Sequence, residues 1–267
     1  MEIKSKKYLG ILPIQEIKKA IESKYILSEE LINVKQLQPA SLDLRLGGRA
    51  WRLQASFLPG KGNKVLDKIN KFAMHELDLN KGAVLEKGCV YLVELQESLK
   101  LPEFISGIAN PKSSIGRLDI FTRLITDYSQ EFENIQKGYH GPIYAEISPR
   151  TFSILVRKGS KLSQLRLRCG NAILKDEALK ILNNNFNLVW LENKHKLYNI
   201  NDGIGLSVNL KPDKNSGLIG WRAKINTGLI DVDKSKSQNT LEFWDKLTID
   251  DLKCGGLVLN PDQFYIL

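Results

Sequence analysis

Period-two alternation of apolar and polar residues dominates the first 170 positions of this chain. Ser41-Leu-Asp-Leu-Arg-Leu46 alternates and is closed by Gly47-Gly48, and Ala50-Trp-Arg-Leu-Gln54 continues the pattern. Val90-Tyr-Leu-Val-Glu-Leu95 follows a turn at Lys87-Gly88. Phe104–Ile108, Ile120–Ile125, Ile143–Ile147, Phe152–Val156 and Leu162–Leu167 complete a series of short strands. Successive side chains of a strand face opposite ways, so each segment has an apolar face to bury. One helix stands apart. Over residues 13–23, Ile14, Ile17 and Ile21 form a stripe at helical spacing, and Pro13 suits a first turn. Short strands joined by Gly, Pro and Asn turns, with few short helices, predict an all-β sandwich or barrel.

The pattern then breaks and restarts. Residues 168–200 are richer in Asn, Lys and Leu, and Asp176–Leu182 suits a short helix. Gly205-Leu-Ser-Val-Asn-Leu210 echoes Ala40-Ser-Leu-Asp-Leu-Arg-Leu46, and Gly256–Leu267 echoes Ala83–Leu92. The order and turn chemistry match, which indicates an internal duplication. The expected division is a complete unit over 1–170, a connector over 171–203 and a partial second copy over 204–267. No counterpart of residues 110–167 follows the second echo, so the second copy reads as truncated before the stretch that carries the candidate chemistry.

Composition narrows the function classes. Hydrophobic residues make up 42% and charged residues 26%, the balance of a globular protein. No apolar run approaches the roughly 18 residues of a membrane span. Met1–Lys7 lacks an apolar signal core, and Cys89, Cys169 and Cys254 lie far apart. These features predict a cytoplasmic protein without a disulfide framework. The net charge of +9 is uneven: residues 1–170 hold 27 Lys+Arg against 18 Asp+Glu, and residues 171–267 hold 12 of each. No stripe of basic residues interleaved with aromatics occurs, which argues against nucleic acid and for a small polyanion or a plain solvated surface.

Asn110-Pro-Lys-Ser-Ser-Ile-Gly-Arg117 supplies the candidate polyanion site. Lys112 and Arg117 can neutralise part of a triphosphate, and Ser113 and Ser114 can bond phosphate oxygens or a water. The segment is not a Walker A loop, because its Gly spacing differs, and a basic turn at a strand end remains the alternative. After Gly138-Tyr-His-Gly141 comes Glu146, a lone carboxylate between Tyr144, Ala145 and Ile147. A carboxylate in such a strand is suited to moving protons near neutral pH, or is ion-paired to Arg150 or Arg117. His75, His140 and His195 are isolated, and neither the Cys-x-x-Cys of zinc deaminases nor a Gly-x-Ser-x-Gly elbow is present. Trp51, Trp190, Trp221 and Trp244 read as packing residues.

The chain resembles the dCTP deaminases of the dUTPase-related superfamily. Gln38-Pro-Ala-Ser-Leu-Asp-Leu-Arg-Leu-Gly47, Pro111-Lys-Ser-Ser-Ile-Gly-Arg117, Gly138-Tyr-His-Gly141, Glu146 and Gln164-Leu165 carry the likeness. Arg117–Asp127 and Ala145–Leu155 resemble the longer, internally duplicated bacterial form. The resemblance implies a distorted jelly-roll, dUTPase-like β-barrel, a homotrimer with sites at subunit interfaces, and zinc-free deamination of dCTP to dUTP and ammonia. It further implies Mg²⁺ carried by the substrate triphosphate, no metal ligand in the protein, and dTTP as a feedback ligand. By position, Glu146 matches the catalytic glutamate, and Ser113 and Arg117 match the residues that place water and substrate. Lys112 and Ser114 belong to the triphosphate clamp, Leu124, Ile125 and Thr126 to the segment that reads the cytosine edge, and Gln164 to the nucleotide contacts. Gln136 stands where the dUTPases carry a water-activating Asp, which disfavours pyrophosphate release. The alternatives are a degenerate, non-catalytic nucleotide-binding protein and, less favoured, a dUTP pyrophosphatase.

Overall fold

In the computed structural model the alternating segments become strands, most of them in two facing sheets, while Ile154–Val156 enters a smaller three-stranded one. Residues 9–171, 173–189, 199–234, 239–253 and 255–267 are described; Trp190 and His195 lie outside them. In chain order the first unit comprises β1 (Gly10–Ile11), α1 (Ile14–Glu22), β2 (Ile26–Ser28), β3 (Leu37–Gln38), β4 (Ser41–Leu44), β5 (Leu46–Leu53), α2 (Val65–Phe72) and β6 (Ala73–Asp78). It continues through β7 (Ala83–Leu85), β8 (Val90–Lys100), β9 (Ile105–Pro111), α3 (Ser113–Gly116), β10 (Ile120–Thr126), β11 (Asn134–Ile135), β12 (His140–Pro149), β13 (Ile154–Val156) and β14 (Ser163–Cys169). The second part holds α4 (Asp176–Phe186), β15 (Leu218–Ala223), β16 (Ile230–Asp231), α5 (Thr240–Phe243), β17 (Trp244–Thr248), β18 (Leu252–Lys253), β19 (Gly256–Leu257) and β20 (Tyr265–Ile266).

One sheet runs β11-β9-β14-β4-β3 with β1 on β14, and the other β10-β12-β8-β5-β6 with β2 on β8. Leu42, Leu44, Ala109, Leu165 and Leu167 of the first sheet meet Val93, Leu95, Leu124, Ala145 and Ile147 of the second in one buried cluster. The fold is therefore an all-β sandwich; among the described residues no strand bridges the two sheets to close the barrel expected from sequence. Period two has a second consequence. Leu92, Ile125, Tyr144 and Trp51 point away from this core and build a smaller one with Phe57, Val65 and Ile69. Helix α2, absent from the sequence reading, supplies Val65 and Ile69 at i, i+4 spacing, and its first amide, Val65 N–H, donates to Asp127 Oδ1 at 2.8 Å.

The second part repeats the strand order of the first. β15 lies between β17 and β20 as β5 lies between β6 and β8. Trp221 and Arg222 face Ile266 and Tyr265, as Trp51 and Arg52 face Leu92 and Tyr91. The tyrosine hydroxyls repeat the same turn contact, accepting from Glu86 N–H at 3.0 Å in one case and from Asn260 N–H at 3.1 Å in the other. The echo at Gly205–Leu210 behaves differently. It is an exposed, strandless segment, because β4 owes its strand form to β3 and β14 on its two sides and no described residues flank 205–210 in that way.

Strand pairing, polar bonds and ring contacts among the described residues join the parts. β16 pairs in parallel with β13. The Arg157 guanidinium forks onto Asp231, with Nη1–Oδ1 at 2.8 Å and Nη2–Oδ2 at 2.9 Å, and Ser160 Oγ–H donates to Asp233 at 2.6 Å. Phe152, 1% exposed, meets the rings of Phe243 and Trp244 edge-on at 5.9 and 5.4 Å. Ala223, Ile230, Phe243 and Trp244 of the second part thus join the core cluster of the first unit.

Candidate active site

The residues expected to clamp phosphate gather where three neighbouring strands of the first sheet end. Pro111 terminates β9 and Lys112 leads into the single turn of α3, with Lys112 N–H donating to Leu162 O at 2.8 Å. Next to β9 lies β14, in register Gln164 opposite Asn110, and next to β14 lies β4, in register Asp43 opposite Gln164. Ser41 and Asp43, two apart on β4, share a face with Gln164 and Arg166, two apart on β14. Together with Gln38, Lys112, Ser113 and Ser114 they line a cleft of about 420 Å³. Three of the expected clamp residues, Lys112, Ser113 and Ser114, and the expected nucleotide contact Gln164 therefore lie in one place. Arg117 is not among the lining residues; its guanidinium turns back to Ser113, with Nε 3.3 Å from the carbonyl oxygen and Nη2 3.4 Å from Oγ.

The cleft contains an acid that the sequence reading passed over. Asp43 is 1% exposed, its Oδ2 accepts from Lys112 Nζ at 2.5 Å, and its Oδ1 has no hydrogen-bond partner among the described residues. Ser41 Oγ–H donates to Gln164 Oε1 at 3.1 Å. Asp43 and Ser41 stand in the quoted Gln38–Gly47 stretch, where alternation marked them as the polar face of a strand without showing that this face lines the cleft.

Glu146 lies elsewhere. It belongs to β12 of the second sheet, next to Leu92 of β8 and opposite Arg123 of β10. Ala145 and Ile147 enter the central core, so Glu146 projects with Tyr144 from the outer face. Its carboxylate is buried, and Oε1 is held by Arg123 through Nε at 3.0 Å and through Nη2. Oε2 has no hydrogen-bond partner among the described residues. The ion-pair partner is thus Arg123, not the expected Arg150 or Arg117. The signal was present in the sequence as the one charge within Ile-Phe-Thr-Arg-Leu-Ile-Thr, but strand registry was needed to aim it.

The segment expected to read the base lies beside this carboxylate. Leu124, Ile125 and Thr126 are buried in β10, opposite Ala145, Tyr144 and Ile143. β10 ends its sheet, so one edge of its backbone is not committed to the ladder; Leu124 O accepts there from Glu133 N–H at 2.8 Å. Tyr139 of the Gly-Tyr-His-Gly turn ties the two strands together, accepting from Asp127 N–H at 3.1 Å and donating to Pro142 O at 2.6 Å. Burial pushes its hydroxyl well above the usual tyrosine range, which keeps it a neutral donor. Gln136 is exposed in the turn before Tyr139. Within one chain, the cleft and the carboxylate are on different sheets.

Comparison with known proteins agrees with this architecture. The family model described as the 2'-deoxycytidine 5'-triphosphate deaminase N-terminal domain matches residues 8–171, and the C-terminal domain model matches residues 175–267. The second match begins inside the stretch expected to be a connector. The crystal structure of 2'-deoxycytidine 5'-triphosphate deaminase from Agrobacterium tumefaciens superimposes with a TM-score of 0.91 at 51% identity, over 97% of this chain and 73% of that one. A dCTP deaminase, dUMP-forming, from Methanosphaera stadtmanae is 30% identical over 151 residues, covering 52% of this chain and 68% of the relative. One of the same description from Nanoarchaeum equitans is 28% identical over 184 residues, 62% of this chain and 87% of the relative. The chain belongs to the dCTP deaminase family.

Proposed function

We propose that this chain hydrolyses the C4 amino group of dCTP, releasing ammonia. The observation that carries the reading is the buried Glu146 carboxylate with one oxygen anchored and the other unpartnered, beside the backbone edge of Leu124–Thr126. Water attacks C4 as Glu146 takes one of its protons and passes it to N3; the hydroxyl now on C4 then gives up the second proton, which Glu146 passes to the amine, so that C4=O forms as the C4–N bond breaks and ammonia leaves. Cytosine C4 is a weak electrophile, so protonation at N3 lowers the barrier. Lys112, Ser113 and Ser114 take the triphosphate, Gln164 contacts the nucleotide, and Arg117 with Ser113 places the water and the substrate. Binding energy from the remote phosphates then serves the reacting centre.

Mg²⁺ belongs to this scheme as part of the substrate. The cleft fits a metal that arrives on phosphate oxygens: Lys112 and Arg166 offer charge to the phosphates, Ser41, Ser113 and Ser114 offer hydroxyls, and Asp43 Oδ1 has no hydrogen-bond partner among the described residues. Among the described residues no cluster of three His, Cys, Asp or Glu side chains is suited to hold an ion on its own.

Because the cleft and Glu146 are on different sheets, the full site is assembled between subunits, most simply in a trimer, with the clamp of one copy facing Glu146 of another. The internal duplication is part of the same reading, supported by the shared strand order and by the paired Trp-Arg and tyrosine contacts. dTTP fits the clamp as a feedback ligand through the same triphosphate. The product is dUTP: relatives are described as dUMP-forming, but Gln136 has no basic group with which to activate water for phosphate hydrolysis. A cytoplasmic setting completes the reading; no helix among the described residues is long and apolar enough to cross a membrane.

The test is incubation with dCTP and Mg²⁺, with ammonia, dUTP, dUMP and pyrophosphate measured separately. Ammonia with dUTP is expected, and Glu146→Gln is expected to abolish ammonia while nucleotide binding survives. Binding without ammonia would favour a non-catalytic nucleotide-binding protein. Stoichiometric pyrophosphate would overturn the assignment of dUTP as product.

A further inference from the structure

Arg123 is held on three sides. Its Nε and Nη2 bond Glu146 Oε1, its Nη2 also donates to Ser56 Oγ at 3.0 Å, and its guanidinium lies 3.8 Å from the centre of the Phe132 ring. It faces Glu146 directly across the β10–β12 ladder. A carboxylate that is 2% exposed needs a counter-charge. A guanidinium supplies one that does not lose its proton, and its planar fork fixes the carboxylate's rotation. The anchoring is one-sided: both bonds go to Oε1, and Oε2 is left buried without a partner. A merely structural pair would be expected to share the fork across both oxygens.

We infer that Arg123 is the positioning residue of the deamination, holding Glu146 through Oε1 so that Oε2 is the atom that accepts the proton from water. The inference rests on the function proposed above and adds the division of labour between the two oxygens. The proton leaves water for Oε2 as the C4–O bond forms. It then passes to N3; the hydroxyl on C4 gives the second proton to Oε2, which hands it to the amine as C4=O forms and the C4–N bond breaks, so ammonia leaves and Glu146 is restored. Arg123 keeps its protons throughout and touches no reacting atom.

The experiment compares wild type, Arg123→Lys, Arg123→Gln and Arg123→Ala in dCTP turnover, with and without guanidinium ion in solution, alongside calorimetric binding of nucleotide. Misplacing a catalytic group by about 1 Å can cost on the order of 10²-fold. A kcat loss of that size is expected for Arg123→Ala and Arg123→Gln, with nucleotide affinity unchanged, partial activity in Arg123→Lys, and partial recovery of Arg123→Ala by added guanidinium. Wild-type turnover in all three variants overturns the inference. So does a loss of turnover matched by an equal loss of binding and insensitive to guanidinium, the signature of a structural role. If Arg123→Ala does not fold, the order Arg, Lys, Gln carries the same comparison. A wild-type protein that releases no ammonia sinks the functional reading itself, whereas active wild type with unaffected variants overturns only the role of Arg123.

Discussion

Phe152→Ala tests whether the two halves of the chain share one core. Phe152 follows β12 in the first unit, is 1% exposed, and meets Phe243 and Trp244 of the second part at 5.9 and 5.4 Å. Truncating a buried Phe to Ala costs about 3–5 kcal/mol. Of this, each edge-on ring pair accounts for roughly 0.5–1.5 kcal/mol beyond area burial. At roughly 2–4 °C per kcal/mol for a protein of about this size, Tm should fall by about 6–20 °C. The assay is calorimetric melting together with fluorescence of single-tryptophan variants that retain either Trp51, in the outer cluster of the first unit, or Trp244. Both reporters should move together. A double-mutant cycle with Phe243→Leu should give a coupling of about 0.5–1.5 kcal/mol. A shift under about 2 °C, a coupling of zero, or movement of the Trp244 transition alone would refute a common core. Ser114 and Leu118 line a cleft with Phe243 and Trp244, so loosening this contact should also weaken nucleotide binding.

Asp231→Asn separates electrostatic from apolar docking of the second part. The Arg157 guanidinium, hydrogen-bonded to Asp231, holds its carboxyl at about 2, below the ordinary value of 3.8. The stabilisation is therefore complete above pH of about 4 and fades as the pH falls toward 2. Chemical denaturation across pH should show the wild type more stable at neutrality and the gap closing below pH of about 4; a pH-independent gap would contradict the pairing. Lys112→Met removes the counter-charge of Asp43 and, in the proposed function, a phosphate partner. Calorimetry should show nucleotide affinity falling on the order of tenfold or more, with about 1–3 kcal/mol of stability lost, and unchanged affinity would take Lys112 out of the clamp. Gly47→Ala would place a Cβ 2.8 Å from the Glu94 carbonyl oxygen. It should cost about 1–3 kcal/mol in denaturant titration by forcing β5 from β8; a neutral result would mean the strands separate freely there.

Alternation is a local property, so strands β4, β5, β8, β10, β12 and β14 were legible segment by segment, and the stripe of Ile14, Ile17 and Ile21 gave α1 within one residue at each end. Lys112, Ser113, Ser114, Gln164 and Glu146 were legible as chemistry, because their residue types stand out from their neighbours and their order resembles a known family. Strand registry was not legible, since it depends on which segment lies alongside and in which phase. The pairing of Arg123 with Glu146 and the matching strand positions of Trp221-Arg222 and Trp51-Arg52 therefore follow only from the ladders. Gly205–Leu210 shows the reverse case: its alternation predicts a strand, yet a strand without neighbours leaves its backbone to water, and the segment is exposed. The sequence by itself determined which residues are expected to hold phosphate and which to carry a proton. Only the tertiary structure decided that the cleft and the carboxylate sit on different sheets, that one carboxylate oxygen is anchored and the other free, and that the second part closes onto the first through Phe152 and Arg157, because each of these depends on contacts between residues far apart in the chain.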